Sequence, residues 1–336
     1  MRKKVRVHFF FRKPTTNGKF SIERLFGSIA SHIDKNQFTV KFVYCPFASN
    51  GIFKRLALMI WAVSNQGDIN HITGDINFLG LFMKKSKTVL TIHDSLSMNR
   101  LYGIKRFIYF LFWIKLPIFR SGVVTFISKS TLRETLLFTS IKKSKFFVIP
   151  NCVTVEPSLK NTLFNSQKPN ILTVGTASNK NIHSIITALN GVKCKLTLVG
   201  HLNDLQKQLL KQYKISYENY TNLNDAEIAD KYFKSDMVVF VPTYEGFGLP
   251  IIEAQAFSKP LITSRKSPMQ DVASKGACLV DPEDIDEIRT AIVTIISNAS
   301  YRQKLIEAGR QNIKKYSPQI IAKKYQNIYF DMLKDC

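Results

Sequence analysis

The segment Phe240-Val-Pro-Thr-Tyr-Glu-Gly-Phe-Gly-Leu-Pro-Ile-Ile-Glu253 constrains this chain more than any other. The apolar run Met237 to Val241 reads as a buried strand that leads into Gly-Phe-Gly. A helix is expected to start at Pro250, because a missing N–H costs nothing at a first helical position. Gly246 and Gly248 let the backbone approach a ligand. The amides from Gly246 through Phe247 and Gly248 to Leu249 are the N–H groups that a helix start turns toward a phosphate. Glu245 precedes the turn and Glu253 lies one turn into the helix, with seven residues between them. Both carboxylates are thereby expected at the carboxyl end of one strand, where open α/β sheets hold their ligands. A carboxylate repels a diphosphate, whereas it accepts hydrogen bonds from sugar hydroxyls in pairs. The pattern reads as a grip on a nucleotide sugar. Its bland alternative is a strand–turn–helix with two solvated glutamates.

The surroundings of the motif narrow that choice. The segment resembles the Glu-x7-Glu signature of retaining GT-B glycosyltransferases, glycosyltransferase family 4 (group 1) in particular. The likeness continues through Ala254-Gln-Ala-Phe-Ser-Lys-Pro-Leu-Ile262 and Leu279-Val-Asp-Pro282. It implies an α/β fold of two Rossmann-like domains facing a central cleft, with a C-terminal helix crossing back to the first domain.

The pattern along the chain agrees with that class. Strands are expected at Val5–Phe11, Gln37–Tyr44, Ile69–Ile72, Thr88–Ile92, Gly122–Phe126 and Phe146–Ile149. A second set is expected at Ile171–Val174, Lys195–Val199, near Ile215–Tyr217, Met237–Val241, Pro260–Thr263 and Ala277–Val280. Strands alternating with helical patterns indicate parallel sheets. The polar stretch Glu156 to Lys168 reads as the linker. The expected domains are therefore residues 1–160, residues 161–316, and a final helix over 317–336 that by the resemblance packs on the first domain. Ser317-Pro318 opens that helix, and Ile320, Ile321, Tyr325, Ile328, Tyr329 and Met332 form its apolar stripe.

Charge is the second informative feature, because it is lopsided. Residues 1–165 carry 26 Lys and Arg against 7 Asp and Glu; the rest carry 22 against 17. A basic first half implies an anionic partner. Bulky apolar residues lie among the charges at Ile52–Trp61 and Lys105–Trp113, as in helices that rest in a membrane interface. The competing reading is two core helices with basic outer faces. No nucleic-acid-binding motif accompanies the charge, so nucleic acid is not the expected partner. The most apolar run, Phe107 to Phe119, is 13 residues broken by Lys115 and Pro117, too short to span a bilayer. The basic start, with Arg6 and His8 interrupting its apolar part, reads as a first strand and not a signal peptide. Cysteines 45, 152, 194, 278 and 336 show neither disulfide nor zinc spacing, which fits a reducing cytoplasm.

Other candidate site residues follow. Strand Ile171–Val174 ends in Gly175-Thr-Ala-Ser-Asn-Lys-Asn181, a strand-to-helix loop in which Lys180 is placed to neutralise a diphosphate. The family has an arginine after this glycine and a lysine further on; here Thr176 replaces the arginine. His93, in Thr91-Ile-His-Asp94, resembles the family's histidine that faces the donor sugar. Gly18 resembles its first-loop glycine beside the diphosphate, although Asn17-Gly18 is also an ordinary turn. Asp284-Ile-Asp286 looks like a metal-binding pair from another fold, but at a helix start acidic residues complement the macrodipole. Neither metal nor cofactor is expected.

The expected protein is a cytoplasmic glycosyltransferase, peripheral on the inner face of the plasma membrane. It would move a hexose-type sugar with retention from a nucleotide-diphosphate sugar to a lipid-linked or phosphorylated glycan. Glu253 would hold the ribose, the Gly246–Leu249 amides and Lys180 the diphosphate, and Glu245 the transferred sugar. The alternatives are a nucleotide-sugar epimerase of the same fold and a basic nucleic-acid-binding protein.

Overall fold

The computed structural model describes residues 4–14, 21–94, 101–139, 145–155 and 163–334. The chain divides into two compact units: Met1–Cys152 with Pro318–Cys336, and Val153–Ser317. The stretch 156–162, most of the expected linker, and the expected site glycine Gly18 lie outside the described residues.

The first unit is built on six parallel strands: β1 (Val5–Phe11), β2 (Phe38–Tyr44), β3 (Ile69–Ile72), β4 (Thr88–Ile92), β5 (Val123–Phe126) and β6 (Phe146–Val148). Their order is β2-β1-β3-β4-β5-β6. β1 pairs in register with β2, Val5 opposite Phe38, and on its other edge with β3, Val7 opposite Ile69. Every residue of β3 and β4 is buried, as strands covered on both faces require.

On one face, helix Ser21–Ser31 and the last helix, Pro318–Lys334, pack with Val7, Phe9, Phe11 and Ile69 into one core. Ile321, Tyr325, Ile328, Tyr329 and Met332 are buried there, and only Ile320 of the expected stripe stays exposed. His71 from β3 pins that helix. Its Nδ1 lies 2.7 Å from the Tyr329 hydroxyl and its Nε2 2.7 Å from Thr91 Oγ1. Burial pushes its pKa down to about 3, so the ring stays neutral.

The other face is covered by helix Ile52–Ser64 and the helical run from Gly103 to Arg120. The middle of that run, Phe110–Lys115, widens to π geometry just ahead of Pro117. Proline has no N–H to give Trp113's carbonyl in α register. Asn77 Nδ2 donates to that carbonyl instead, at 2.9 Å.

The second unit is also a six-stranded parallel sheet: β7 (Asn170–Val174), β8 (Lys195–Val199), β9 (Ser216–Tyr220), β10 (Met237–Phe240), β11 (Leu261–Ser264) and β12 (Cys278–Val280). Its order, β12-β11-β10-β7-β8-β9, is the doubly wound order of dinucleotide-binding folds. Both sheets thus carry a switch point, where successive connections leave in opposite directions. It falls between β1 and β3 in the first unit and between β10 and β7 in the second.

Candidate functional site

The switch point of the second unit is laced by the two loops that leave it. The backbone N–H of Thr243, after β10, donates to Asn179 O, after β7, at 2.9 Å. Asn179 Nδ2 returns to Tyr244 O at 3.0 Å and to Glu245 Oε1 at 3.3 Å. Asn181, held at φ 59°, donates through Nδ2 to Val241 O and to Pro282 O, at 3.2 and 2.6 Å. An asparagine tolerates this left-handed backbone better than most residues.

Lys180 and Glu245 meet across the laced loops as an ion pair, both side chains mostly buried. The ammonium also lies 5.3 Å from the centre of the Phe240 ring. Gly175 bends the loop at φ 89°, and a Cβ there would press on the Lys180 stem at 3.0 Å. The glycine therefore sets the path of the lysine. Sequence reasoning gave Lys180 and Glu245 separate partners; in the structure they pair with each other.

Thr176 does not replace an arginine's charge. Its hydroxyl donates to His201 O at 2.7 Å, and its carbonyl accepts from Gln206 Nε2 at 3.0 Å. It lies against Gly200, where any Cβ would come within 2.5 Å of its Oγ1. The position ties the β7 loop to the one after β8.

The Gly-Phe-Gly turn ends at Gly248, φ 95°, and the helix Leu249–Ala256 follows, one residue earlier than the proline suggested. Phe247 turns its ring inward against Tyr316, centroids 5.8 Å apart, so that only its backbone faces the turn. Glu253 is 5% exposed, and its Oε2 accepts from the Tyr232 hydroxyl at 2.7 Å. The Tyr232 ring stacks on Phe257, with centroids 5.5 Å apart. Tyr232 escaped the sequence reading because it looks like one more residue of an apolar helix stripe. A carboxylate can accept about four hydrogen bonds, so the tyrosine orients Glu253 without exhausting it.

In the first unit, His93 leaves β4 half-buried. Its Nε2 lies 2.5 Å from Thr73 O. A carbonyl only accepts, so Nε2 carries the proton, and in the neutral ring Nδ1 is an acceptor. Burial lowers the histidine's pKa, against the opposing pull of Thr73 O, Asp75 and Asp94. His93 lines a pocket of about 270 Å³ with Asp75, Asn77, Asp94, Tyr109 and Trp113.

Asp284 caps the helix Ile285–Ser297, its Oδ1 accepting from Glu287 N at 2.9 Å. Among the described residues, no group of three or more His, Cys, Asp or Glu side chains is placed to hold a metal ion.

Residues 155–312 match the family model of Glycosyl transferases group 1, which covers nearly the whole second unit. The chain is 27% identical over 262 residues to the capsular polysaccharide biosynthesis glycosyltransferase CapM of Staphylococcus aureus, covering 70% of this chain and 69% of that protein. It is also 27% identical over 218 residues to the O-antigen chain mannosyltransferase RfbU of Salmonella typhimurium, covering 61% of this chain and 60% of that one. The match thus spans less than two thirds of RfbU's length. Among solved structures, Anabaena Alr3699/HepE in complex with UDP and glucose superposes with a TM-score of 0.77 at 15% identity, over 97% of this chain and 100% of that one. The fold is that of GT-B glycosyltransferases. Together the comparisons support a glycosyltransferase of group 1.

Proposed function

We propose that this protein is a retaining glycosyltransferase that transfers a hexose-type sugar from a nucleotide-diphosphate sugar to a lipid-linked or surface-polysaccharide acceptor. One observation carries the reading. Lys180 and Glu245 pair at the second unit's switch point, on loops tied to each other, and Glu253 follows on the helix that starts after the Gly-Phe-Gly turn. Glu253, oriented by Tyr232, holds the ribose hydroxyls. The amides from Gly246 to Leu249 take the diphosphate. On donor binding Lys180 shifts from Glu245 toward the phosphates, and Glu245 is released to the transferred sugar. Lys180 then stabilises the charge that grows on the leaving diphosphate. The relatives named for capsular polysaccharide and O-antigen synthesis support a cell-surface glycan as the product.

The first unit supports a membrane-surface workplace. Ile52, Phe53, Leu56, Ile60 and Val63 stand exposed on one helix, and Ile104, Phe107, Ile108, Phe112 and Phe119 on the neighbouring run; Phe53 is 87% exposed. Arg55 lies over the Trp113 ring at 4.6 Å, which joins the two elements. Lys54, Lys105, Lys115 and Arg120 are exposed among these side chains. The outer faces are thus apolar and basic together, the combination that rests on an anionic bilayer. Among the described residues no helix is long and apolar enough to cross a membrane.

The test is a donor screen followed by NMR. One nucleotide sugar among UDP-, GDP- and other nucleotide-linked hexoses is expected to be slowly hydrolysed, and the first sugar anomer released should keep the donor's configuration. Inversion would contradict retention. Binding or hydrolysis of none would remove the donor assignment.

A further inference from the structure

Two donors converge on one carboxylate oxygen in the second unit. Glu245 Oε1 accepts from Lys180 Nζ and from Asn179 Nδ2, the latter at 3.3 Å. The same Asn179 amide nitrogen also donates to Tyr244 O at 3.0 Å. Its orientation is thereby set, since a flip would turn the amide oxygen toward two acceptors. The two donors differ in charge and in freedom. Lysine swings an ammonium on a flexible four-carbon stem, whereas the asparagine amide sits close to its own backbone. That backbone is fastened. Asn179 lies in the middle of the 3₁₀ turn Ser178–Lys180, and its carbonyl accepts from Thr243 N at 2.9 Å. The turn's exit, Asn181, is tied in turn to Val241 O and Pro282 O. Lys180 can therefore leave Glu245 by moving its side chain alone, while Asn179 stays where the loops hold it.

We infer that Asn179 is a positioning residue for Glu245, which it keeps in place when Lys180 turns to the diphosphate. The inference rests on the donor reading above and adds the residue that makes the exchange workable. Once Lys180 has moved, Glu245 and the diphosphate repel each other. A neutral amide opposes that displacement and leaves the whole of the lysine's charge to the phosphates. Its bond to an ionised acceptor is stronger than one between neutral groups. Bound to Tyr244 O as well, the amide also fixes the carboxylate relative to its own backbone. The transferred sugar then meets Glu245 in one position.

Asn179→Ala tests this, because it removes both amide bonds and leaves the backbone bond from Thr243 in place. Asn179→Ser, whose hydroxyl ends one atom short of the amide nitrogen, takes its place if melting curves show the alanine variant unfolded. UDP, GDP, ADP and dTDP are titrated calorimetrically into the full chain, and turnover is followed with the corresponding hexose donors. The nucleoside diphosphate that the wild type binds should be held by the variant within about two-fold, since Asn179 acts on the sugar's side of the site. Turnover of the matching hexose donor should fall roughly ten-fold in kcat, the scale of one lost hydrogen bond to a charged group. In a Glu245→Ala background the same substitution should change kcat by less than about two-fold, because the group it positions is gone. A brace that merely holds the loops gives another result: diphosphate affinity and kcat fall together, and the loss persists without Glu245. Either of those outcomes overturns the inference, as does wild-type kcat in the folded variant. A wild type that binds none of the diphosphates and turns over none of the donors defeats the donor reading itself, and this inference with it.

Discussion

The two units share one architecture, a six-stranded parallel sheet with a switch point, in two different strand orders, and arm it differently. Each parallel sheet has a switch point flanked by two loops, between β1 and β3 in the first unit and between β10 and β7 in the second. In the second unit the loops carry Lys180 and Glu245, paired with each other, and the helix after the turn carries Glu253, bonded to Tyr232. In the first, Arg12 from the end of β1 pairs with Asp75 beyond β3 at 2.9 Å, and the pocket beside them is lined by Asp75, His93 and Asp94 with the Tyr109 and Trp113 rings. Topology decides where a ligand can sit; the side chains on the loops decide what it is.

The largest effect expected from breaking this contrast is at Lys180. If it stabilises a leaving diphosphate, Lys180→Ala should lower kcat by roughly a hundred- to a thousand-fold, the scale of one lost charge-stabilising donor. Donor affinity should fall far less. Because Lys180 and Glu245 are paired, the Glu245→Ala and Lys180→Ala losses should not add. A double-mutant cycle on kcat should show coupling of about 0.5–3 kcal/mol. Strict additivity would mean the two act on separate partners throughout.

His71 sharpens the comparison from the other side, since the first unit holds its last helix through a neutral buried ring. The unfolded histidine protonates near pH 6.5, whereas the folded one resists protonation down to about 3. Its contribution is therefore complete above about pH 6.5 and lost as the pH falls below it, at up to about 1.4 kcal/mol per pH unit. His93 acts in the same direction. Denaturant unfolding followed against pH should show stability dropping from pH 6.5 toward 5, with a shallower drop in His71→Asn. An equal slope in the variant would place the acid sensitivity elsewhere.

Tyr232→Phe removes the hydroxyl that orients Glu253. A hydrogen bond to a charged group contributes roughly 1.5–3 kcal/mol, part of which the loosened carboxylate regains from a ligand. Calorimetry should show nucleotide-sugar affinity lowered by several-fold, with kcat at saturating donor little changed. The smallest effect concerns the exposed apolar face. Phe53→Ser and Lys54→Glu should leave the melting temperature where it is, since both side chains already stand in solvent. Sedimentation with anionic vesicles at low salt should fall markedly in both. Equal recovery of wild-type protein with and without anionic lipid would return these helices to the role of ordinary cover.

What the sequence made legible follows from how local each signal is. The strands read well because parallel strands buried on both faces are short continuous apolar runs. The final helix read well because its stripe repeats with helical period. The Glu245–Glu253 segment was visible because strand, turn, helix start and both carboxylates lie within fourteen consecutive residues. The Lys180–Glu245 pairing was not, since those residues lie 65 positions apart and only the sheet order joins them. Asn77 gave no signal either. Its meaning depends on a proline forty residues later that leaves the Trp113 carbonyl for it to bind. The apolar basic helices were legible as composition, but which side of each faced outward required the packing of Leu58, Ala62, Ile114 and Ile118 against the sheet.

The central claim is that the second unit's switch point holds the nucleotide sugar, with Glu253 on the ribose. Glu253 is buried, so Glu253→Ala would open a cavity; Glu253→Gln keeps the shape and an oxygen for Tyr232 while removing the charge. Circular dichroism should show the variant folded as the wild type. Calorimetric titration with the nucleotide sugar found in the donor screen should then show affinity lowered about ten-fold or more, the scale of a lost charge-assisted hydrogen bond. Wild-type affinity in a folded Glu253→Gln would show that the ribose is held elsewhere, and would contradict the account of the second unit.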